Sequence, residues 1–283
     1  MSQNKDWDII IEPKKRLFSL NLKEVWQYKD LLYMFVKRDF VTIYKQTILG
    51  PLWFFIQPIF TAIIYTFIFG RVAGISTDGL PQILFYMSGT VCWSYFQDSF
   101  NKTATVFKDN QNIFGKVYFP RLITPLSIVT SGLLKLGIQL LLYISVLVFY
   151  TSTGNFDLNI QLEILLFPFL IMMMAGLALG FGMIITSFTT KYRDLIFLLQ
   201  FGVQLLMYAT PVIYPLSAMP EKYKWLIVLN PMTSIIETFR FGTLGEGSFN
   251  WAYIAYTAVF TFIILTIGTV VFNKTEKDFM DTI

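Results

Sequence analysis

Six apolar runs, each near the length of a bilayer core, dominate this chain of 283 residues and fall at about 51–71, 82–100, 122–150, 164–187, 194–213 and 252–272. A hydrocarbon core needs roughly 20 apolar residues per helical crossing. Lipid offers backbone N–H and C=O groups no partner, so each crossing segment must satisfy them internally, as a helix does. The expected fold is therefore an all-α integral membrane protein with six transmembrane helices. A composition of 55% hydrophobic and 14% charged residues agrees, because a soluble domain of this size needs more charge to cover its surface. The third run is too long for a perpendicular helix and is expected to tilt or project beyond the bilayer. Lys135 stands near its middle. A lysine at that depth costs roughly 3 kcal/mol, so it either faces water with a function or snorkels to the inner interface.

Lysine and arginine in the connecting segments set the expected orientation. With the N-terminus inside, the cytoplasmic pieces hold nine in residues 1–50, then Lys102, Lys108, Lys116 and Arg121, then Lys191 and Arg193, then Lys274 and Lys277, seventeen in all. The outer pieces hold four, Arg71, Lys222, Lys224 and Arg240. By the positive-inside rule both termini belong in the cytoplasm. Lys14, Lys15 and Arg16 have no apolar core behind them, so no cleavable signal peptide is read and the first span is expected to act as the insertion signal.

Two further segments are expected to touch the membrane without crossing it. Residues 22–46 carry an apolar stripe of Leu22, Val25, Leu32, Val36, Phe40 and Ile43 among Lys23, Glu24, Lys29, Asp30, Lys37 and Arg38, the pattern of a helix lying in the interface. Between Pro211 and Asn250, four prolines (Pro211, Pro215, Pro220 and Pro231) interrupt apolar pieces near 224–229 and 233–244 that are too short to span. Two short re-entrant helices on the outer side between spans five and six fit that pattern, and a small extracellular cap packed on the bundle is the alternative.

The inventory excludes much chemistry. There is no histidine and one cysteine, Cys92, which removes His-based nucleophilic sites, His-ligated metals and disulfides. The net charge of +4 reports topology, and no nucleic acid is implied. No Gly-rich loop ends in Lys-Ser or Lys-Thr, so the chain is not expected to hydrolyse ATP alone. The spans are almost free of Asp and Glu, which argues against proton or sodium coupling. What remains is a transporter driven by another chain, and that chain must press on a cytoplasmic loop. Loop two, Asn101–Arg121, offers Ala104, Phe107 and Ile113 among Lys102, Lys108, Asp109 and Lys116, the surface of a small helix that a partner's groove could take. Ordinary positive-inside loops without a partner are the alternative.

Several stretches resemble a known family. Lys37-Arg38-Asp39, then Tyr44-Lys45-Gln46-Thr47-Ile48-Leu49-Gly50-Pro51-Leu52-Trp53 and Gln57-Pro58, are similar to the entry into the first span of the ABC-2 permeases for polysaccharide and polyol-phosphate export. Phe119-Pro120-Arg121 with Pro125, Tyr192-Arg193-Asp194-Leu195, Thr210-Pro211-Val212-Ile213-Tyr214-Pro215, Asn230-Pro231-Met232, and Glu237 with Phe239-Arg240 follow in the family's order. One departure is Ile43, where the family often has an arginine before the Tyr-Lys pair.

The resemblance implies an ABC-2 transmembrane domain over residues 22–283 behind a cytoplasmic tail, 1–21. It also implies a homodimer in the inner membrane, docked to a separate ATPase that holds ATP and Mg, exporting a lipid-linked polysaccharide such as O-antigen, capsule or teichoic acid. Roles follow in the same way. Phe107, Lys108, Lys116, Arg193 and Asp194 would couple to the ATPase. Tyr65, Phe69, Tyr208 and Tyr214 would line the channel, where rings stack on sugar faces. Pro211, Asn230, Pro231, Glu237 and Arg240 would belong to an outer gate. No catalytic or metal-binding residue is expected. The alternatives are an ABC-2 permease for a small lipid or drug and a membrane-embedded glycan transferase, the latter lacking any evident acidic cluster at one membrane face.

Overall fold

A computed structural model of the protein describes residues 22–45, 48–192 and 194–280, so the N-terminal tail and Arg193 lie outside the described residues. These form twelve α-helices with short 3-10 turns, and no strand occurs among them. α1 (Leu22–Gln27) and α2 (Lys29–Tyr44) precede α3 (Trp53–Tyr65), whose last turns widen into a π-helix over Thr66–Val72. Then come α4 (Gln82–Ala104), the short α5 (Val106–Asp109) and α6 (Gln111–Phe114), and α7 (Ile123–Ser152). α8 (Phe167–Thr189), α9 (Leu195–Tyr208), α10 (Glu221–Val228), α11 (Pro231–Leu244) and α12 (Trp251–Met280) complete the order.

Among the described residues, four stretches are long and apolar enough to cross a membrane: Trp53–Val72, Ile123–Ser152, Leu162–Thr189 and Trp251–Glu276. The second and fifth expected spans differ for separate reasons. α4 has the length, but it is the centre of the bundle, packed by α3, α7, α8, α9 and α11, and its polar groups face protein rather than lipid. Ser94 donates to the Gln139 side-chain oxygen at 2.8 Å, and the Tyr95 hydroxyl to the Val129 carbonyl at 3.3 Å, which removes the cost of Ser, Tyr and Gln at that depth. α9 ends at Tyr208, short of the expected 213. Residues Thr210–Ile213 continue as buried, non-helical chain ahead of Pro215. Irregular backbone at membrane depth is tolerable where protein buries it. Here Arg240 donates to the Pro211 carbonyl at 3.0 Å, and Asn230 donates to the Thr210 hydroxyl at 2.7 Å.

The tightest helix pair is α8 on α12, and glycines make it possible. A Cβ on Gly180 would lie 2.8 Å from the Ile264 carbonyl carbon, and one on Gly268 would lie 2.5 Å from the Gly180 carbonyl oxygen. Gly176, one turn before Gly180, faces Thr261 in the same way. Together they form a small-xxx-small face that lets two backbones touch, which is how membrane helices gain packing without a hydrophobic drive.

At one end of the bundle a second apolar cluster ties the interfacial helices to the loop between α4 and α7. Val25 and Phe35 of α1 and α2 pack with Val106, Phe107, Phe114, Phe119, Ile123, Met183 and Phe272. Residues 22–46 were expected as one amphipathic helix. The chain breaks at Tyr28, and α2 lies against α7, with Trp26 of α1 and Tyr33 and Met34 of α2 exposed.

Candidate functional site

Three places hold the residues singled out in the sequence, and the ring cluster is the first. Tyr65 meets Phe69 edge-on at 5.3 Å between ring centroids, and Tyr86 of α4 edge-on at 6.1 Å. The Tyr65 hydroxyl lies 3.7 Å from the sulfur of Met207 on α9, so α3, α4 and α9 converge on these rings. Phe69 sits in the π-helical stretch, a local widening that often marks functional positions. Tyr86 was not anticipated. It is buried within a span with its hydroxyl unpaired among the described residues, and only the fold shows that it closes the back of the cluster. Tyr208 is 44% exposed at the end of α9. Tyr214 is half-buried past that end, and burial, reinforced by the nearby Glu237 carboxylate, pushes its hydroxyl up to about 12. It therefore remains a protonated donor at neutral pH. Large apolar side chains on the helices that carry this cluster, among them Phe60 and Ile63 of α3, Phe67 of its π-helical end, and Phe201 and Leu205 of α9, are exposed.

The second place is the outer pair. α10 follows Pro220 and α11 begins with an Asn230 cap, whose side-chain oxygen accepts from the Met232 backbone at 3.1 Å while Pro231 fills the first helical position. α11 ends at Gly245, whose φ of 77° is the left-handed cap geometry that favours glycine. Glu237 and Arg240, one turn apart, form a buried ion pair at 2.7 Å, with side chains only 3% and 1% exposed. Each nitrogen of Arg240 and each carboxylate oxygen of Glu237 has a partner. Arg240 reaches the Ser88 hydroxyl of α4 at 3.3 Å and the Pro211 carbonyl at 3.0 Å, and its guanidinium lies 3.8 Å from the centroid of the Phe85 ring. Glu237 accepts from the backbone N–H of Ser248 at 2.9 Å and from its hydroxyl at 3.2 Å. One ion pair thus joins α4, the end of the fifth apolar run, α11 and the segment leading into α12. α11 is buried along nearly its whole length, whereas α10 exposes Tyr223, Trp225, Leu226 and Leu229.

The third place is the α4–α7 loop. Its expected short helix is present as α5 and α6, but Phe107 does not protrude as expected. It is fully buried and stacked on Phe272 of α12 at 4.8 Å, because a phenylalanine at the mouth of a bundle gains more from apolar contact than from water. Lys108, Lys116, Val117 and Tyr118 form the exposed face instead. Arg121 is buried behind them, over the Phe114 ring at 5.2 Å and donating to the Glu276 carbonyl at 3.2 Å. Burial lowers its pKa from the usual guanidinium value, and the Glu276 charge opposes that. Asp194 is exposed at the start of α9.

Lys135, expected either to face water with a function or to snorkel to the inner interface, has a charged partner within the bundle. Its ammonium pairs with Asp98 of α4 at 2.5 Å, a contact between residues 37 apart in sequence that no local pattern could supply.

Residues 30–244 match the family described as ABC-2 type transporter, more than half of the chain. The chain belongs to that family. Within it, this is a membrane subunit that works with an ABC ATPase on a separate chain. The chain is 30% identical over 253 residues to the O-antigen export system permease protein RfbA of Klebsiella pneumoniae, covering 89% of this chain and 94% of that one. A protein of the same name from Myxococcus xanthus is 27% identical over 77% of this chain and 82% of its own. The polysialic acid transport protein KpsM of Escherichia coli is 24% identical over 85% and 91%. The matched ABC-2 region starts within α2 and ends with α11, so it contains the ring cluster, the Glu237–Arg240 pair and the α4–α7 loop, but not their partners Ser248, Phe272 and Glu276.

Proposed function

We propose that this chain is the permease subunit of an ATP-driven exporter that moves a lipid-linked polysaccharide across the inner membrane. Residues 22–283 form its single transmembrane domain, a homodimer with six crossings per chain and both termini in the cytoplasm. α4 and α9 with its non-helical extension are the second and fifth crossings. The observation that carries this proposal is the similarity to O-antigen export permeases through almost the whole chain.

The geometry supports a division of labour. Tyr65 and Phe69, backed by Tyr86, offer flat apolar faces to the C–H side of a sugar ring, with Tyr208 and Tyr214 further along. The exposed apolar side chains of α3 and its π-helical end, Phe60, Ile63 and Phe67, and Phe201 and Leu205 of α9 are covered by the second copy. α10 and α11 form the outer gate, with the ion-paired α11 as its fixed post and α10 as its free face. The α4–α7 loop with Asp194 receives the ATPase stroke through Lys108 and Lys116, while Phe107 holds the loop to α12.

Co-purification with the cognate ATPase, followed by vanadate-sensitive ATP hydrolysis, tests the assembly. Two permeases with two ATPases is the expected result, and a permease that purifies alone beside abundant ATPase would sink the proposal. The buried phenylalanine and the exposed lysines separate folding from coupling. Phe107→Asp places a carboxylate in the apolar cluster and is expected to lose folded protein, by several kcal/mol. Lys108→Glu with Lys116→Glu is expected to leave the permease folded, with an unchanged elution profile, but to weaken ATPase association in a salt-dependent manner. Wild-type association of the double variant at low salt would remove the loop from the coupling surface.

A further inference from the structure

A cavity of about 330 Å³ lies between α4, α8 and α9, walled by Phe96, Phe100, Phe181, Leu199 and Val203, and it opens along the exposed Phe188, Leu198 and Leu206. Its walls are almost wholly apolar. Water does not fill such a space, since a water molecule needs two to four polar partners. Leaving it empty forfeits the dispersion contacts of every wall atom. A protein embedded in lipid has hydrocarbon at hand to fill it. Taking about 30 Å³ per small group in a liquid, the cavity holds about eleven methylenes. Along α9 it extends from Leu195 to Leu206, about 16 Å at 1.5 Å per residue, which is the depth of one leaflet of a ~30 Å core. Both measures fit one acyl chain.

Gly202 supplies a second argument. A Cβ there would meet nothing within 4 Å, so the cavity is open beside this residue, and α9 as a whole buries only Ile196 and Val203. One end of the cavity, at Phe188 and Leu195, adjoins the α8–α9 loop, and the sequence of residues 190–194 carries a net charge of +1. Lys191 is exposed there, 5.3 Å from the centre of the Tyr192 ring, where a headgroup above the cavity would sit.

From these features we infer that the cavity is a binding site for one acyl chain of an anionic phospholipid, which completes the packing of α9 against α4 and α8. The inference rests on the cytoplasmic placement of the α8–α9 loop, but not on the nature of the exported cargo.

The test uses the permease with its ATPase in nanodiscs of phosphatidylethanolamine and phosphatidylglycerol, the latter carrying a photoreactive diazirine within one acyl chain. Peptides covering Phe96–Phe100 and Leu195–Leu206 are expected to be labelled. Gly202→Phe fills the cavity without a clash and should lower that labelling about tenfold, the equivalent of roughly two methylenes of lost burial. Gly137→Phe is the control: a Cβ at Gly137 also meets nothing within 4 Å, it lies on α7 away from the cavity, and labelling should not change. Lys191→Glu should lower capture of the phosphatidylglycerol probe about twofold, the size of an exposed ion pair, and leave a phosphatidylcholine probe unaffected. Equal labelling of wild type and Gly202→Phe would overturn the inference. So would capture of a second permease by a photoreactive phenylalanine at position 202, which would make the cavity an interface between copies.

Discussion

Replacing Arg240 with methionine is expected to lower the unfolding temperature of the permease by on the order of 10 °C, the consequence of losing about 3–5 kcal/mol when one partner of a buried ion pair is removed. Methionine fills much of the same volume, so the loss is electrostatic rather than a cavity. It strands the Glu237 carboxylate, 3% exposed, with only Ser248 to bond it, and frees the Pro211 carbonyl and the Ser88 hydroxyl. Arg240→Lys keeps the charge but cannot reach Glu237, Pro211 and Ser88 together, so an intermediate loss is expected. Glu237→Met combined with Arg240→Met should recover a substantial part of the stability, because a well-packed apolar pair avoids the desolvation of two charges. Thermal unfolding of the four proteins in one detergent measures all of this. An Arg240→Met variant as stable as wild type would show that the pair does not hold the outer helices in place. If the double variant is stable but export fails, the ion pair serves the transport cycle and not only the fold.

The second large effect is expected at Gly180. Leucine there would drive a side chain into the Ile264 backbone, 2.8 Å from the carbonyl carbon, and neither helix can yield without separating α8 from α12. Overpacking of side chains alone costs roughly 1–3 kcal/mol, and a clash with backbone belongs at or above the top of that range. Loss of the monodisperse peak in detergent, with little folded protein recovered, is the expected result. Gly202→Leu and Gly137→Leu supply the contrast, since neither meets an obstacle and each should gain up to about 1 kcal/mol from helix propensity. Normal yield and stability for Gly180→Leu would mean that the close approach of α8 and α12 is absent in the membrane.

The small-xxx-small pattern at Gly176 and Gly180 was present in the sequence, inside a run that hydropathy alone reads as a featureless span. It could have been found. The partner helix could not, because Gly268 is 88 residues from Gly180 and only packing brings them together.

What the sequence determined by itself is what depends on the solvent and on local chemistry. Apolar length against bilayer thickness located the helices, with five of the six expected spans appearing as long helices near the expected bounds. Proline and asparagine placed the starts of α10 and α11, since a missing N–H and a side-chain acceptor act within one turn. Ordered motifs gave the family. The tertiary structure alone decided which side chains meet across long separations. It paired Lys135 with Asp98, turned Phe107 inward onto Phe272, backed Tyr65 with Tyr86, and let α9 stop at Tyr208 because Arg240 and Asn230 satisfy the chain beyond it. The physical reason is common to all four. Hydropathy is an average over a window, whereas an ion pair, a ring contact or a satisfied carbonyl depends on positions within an ångström, and those are fixed only when the helices pack.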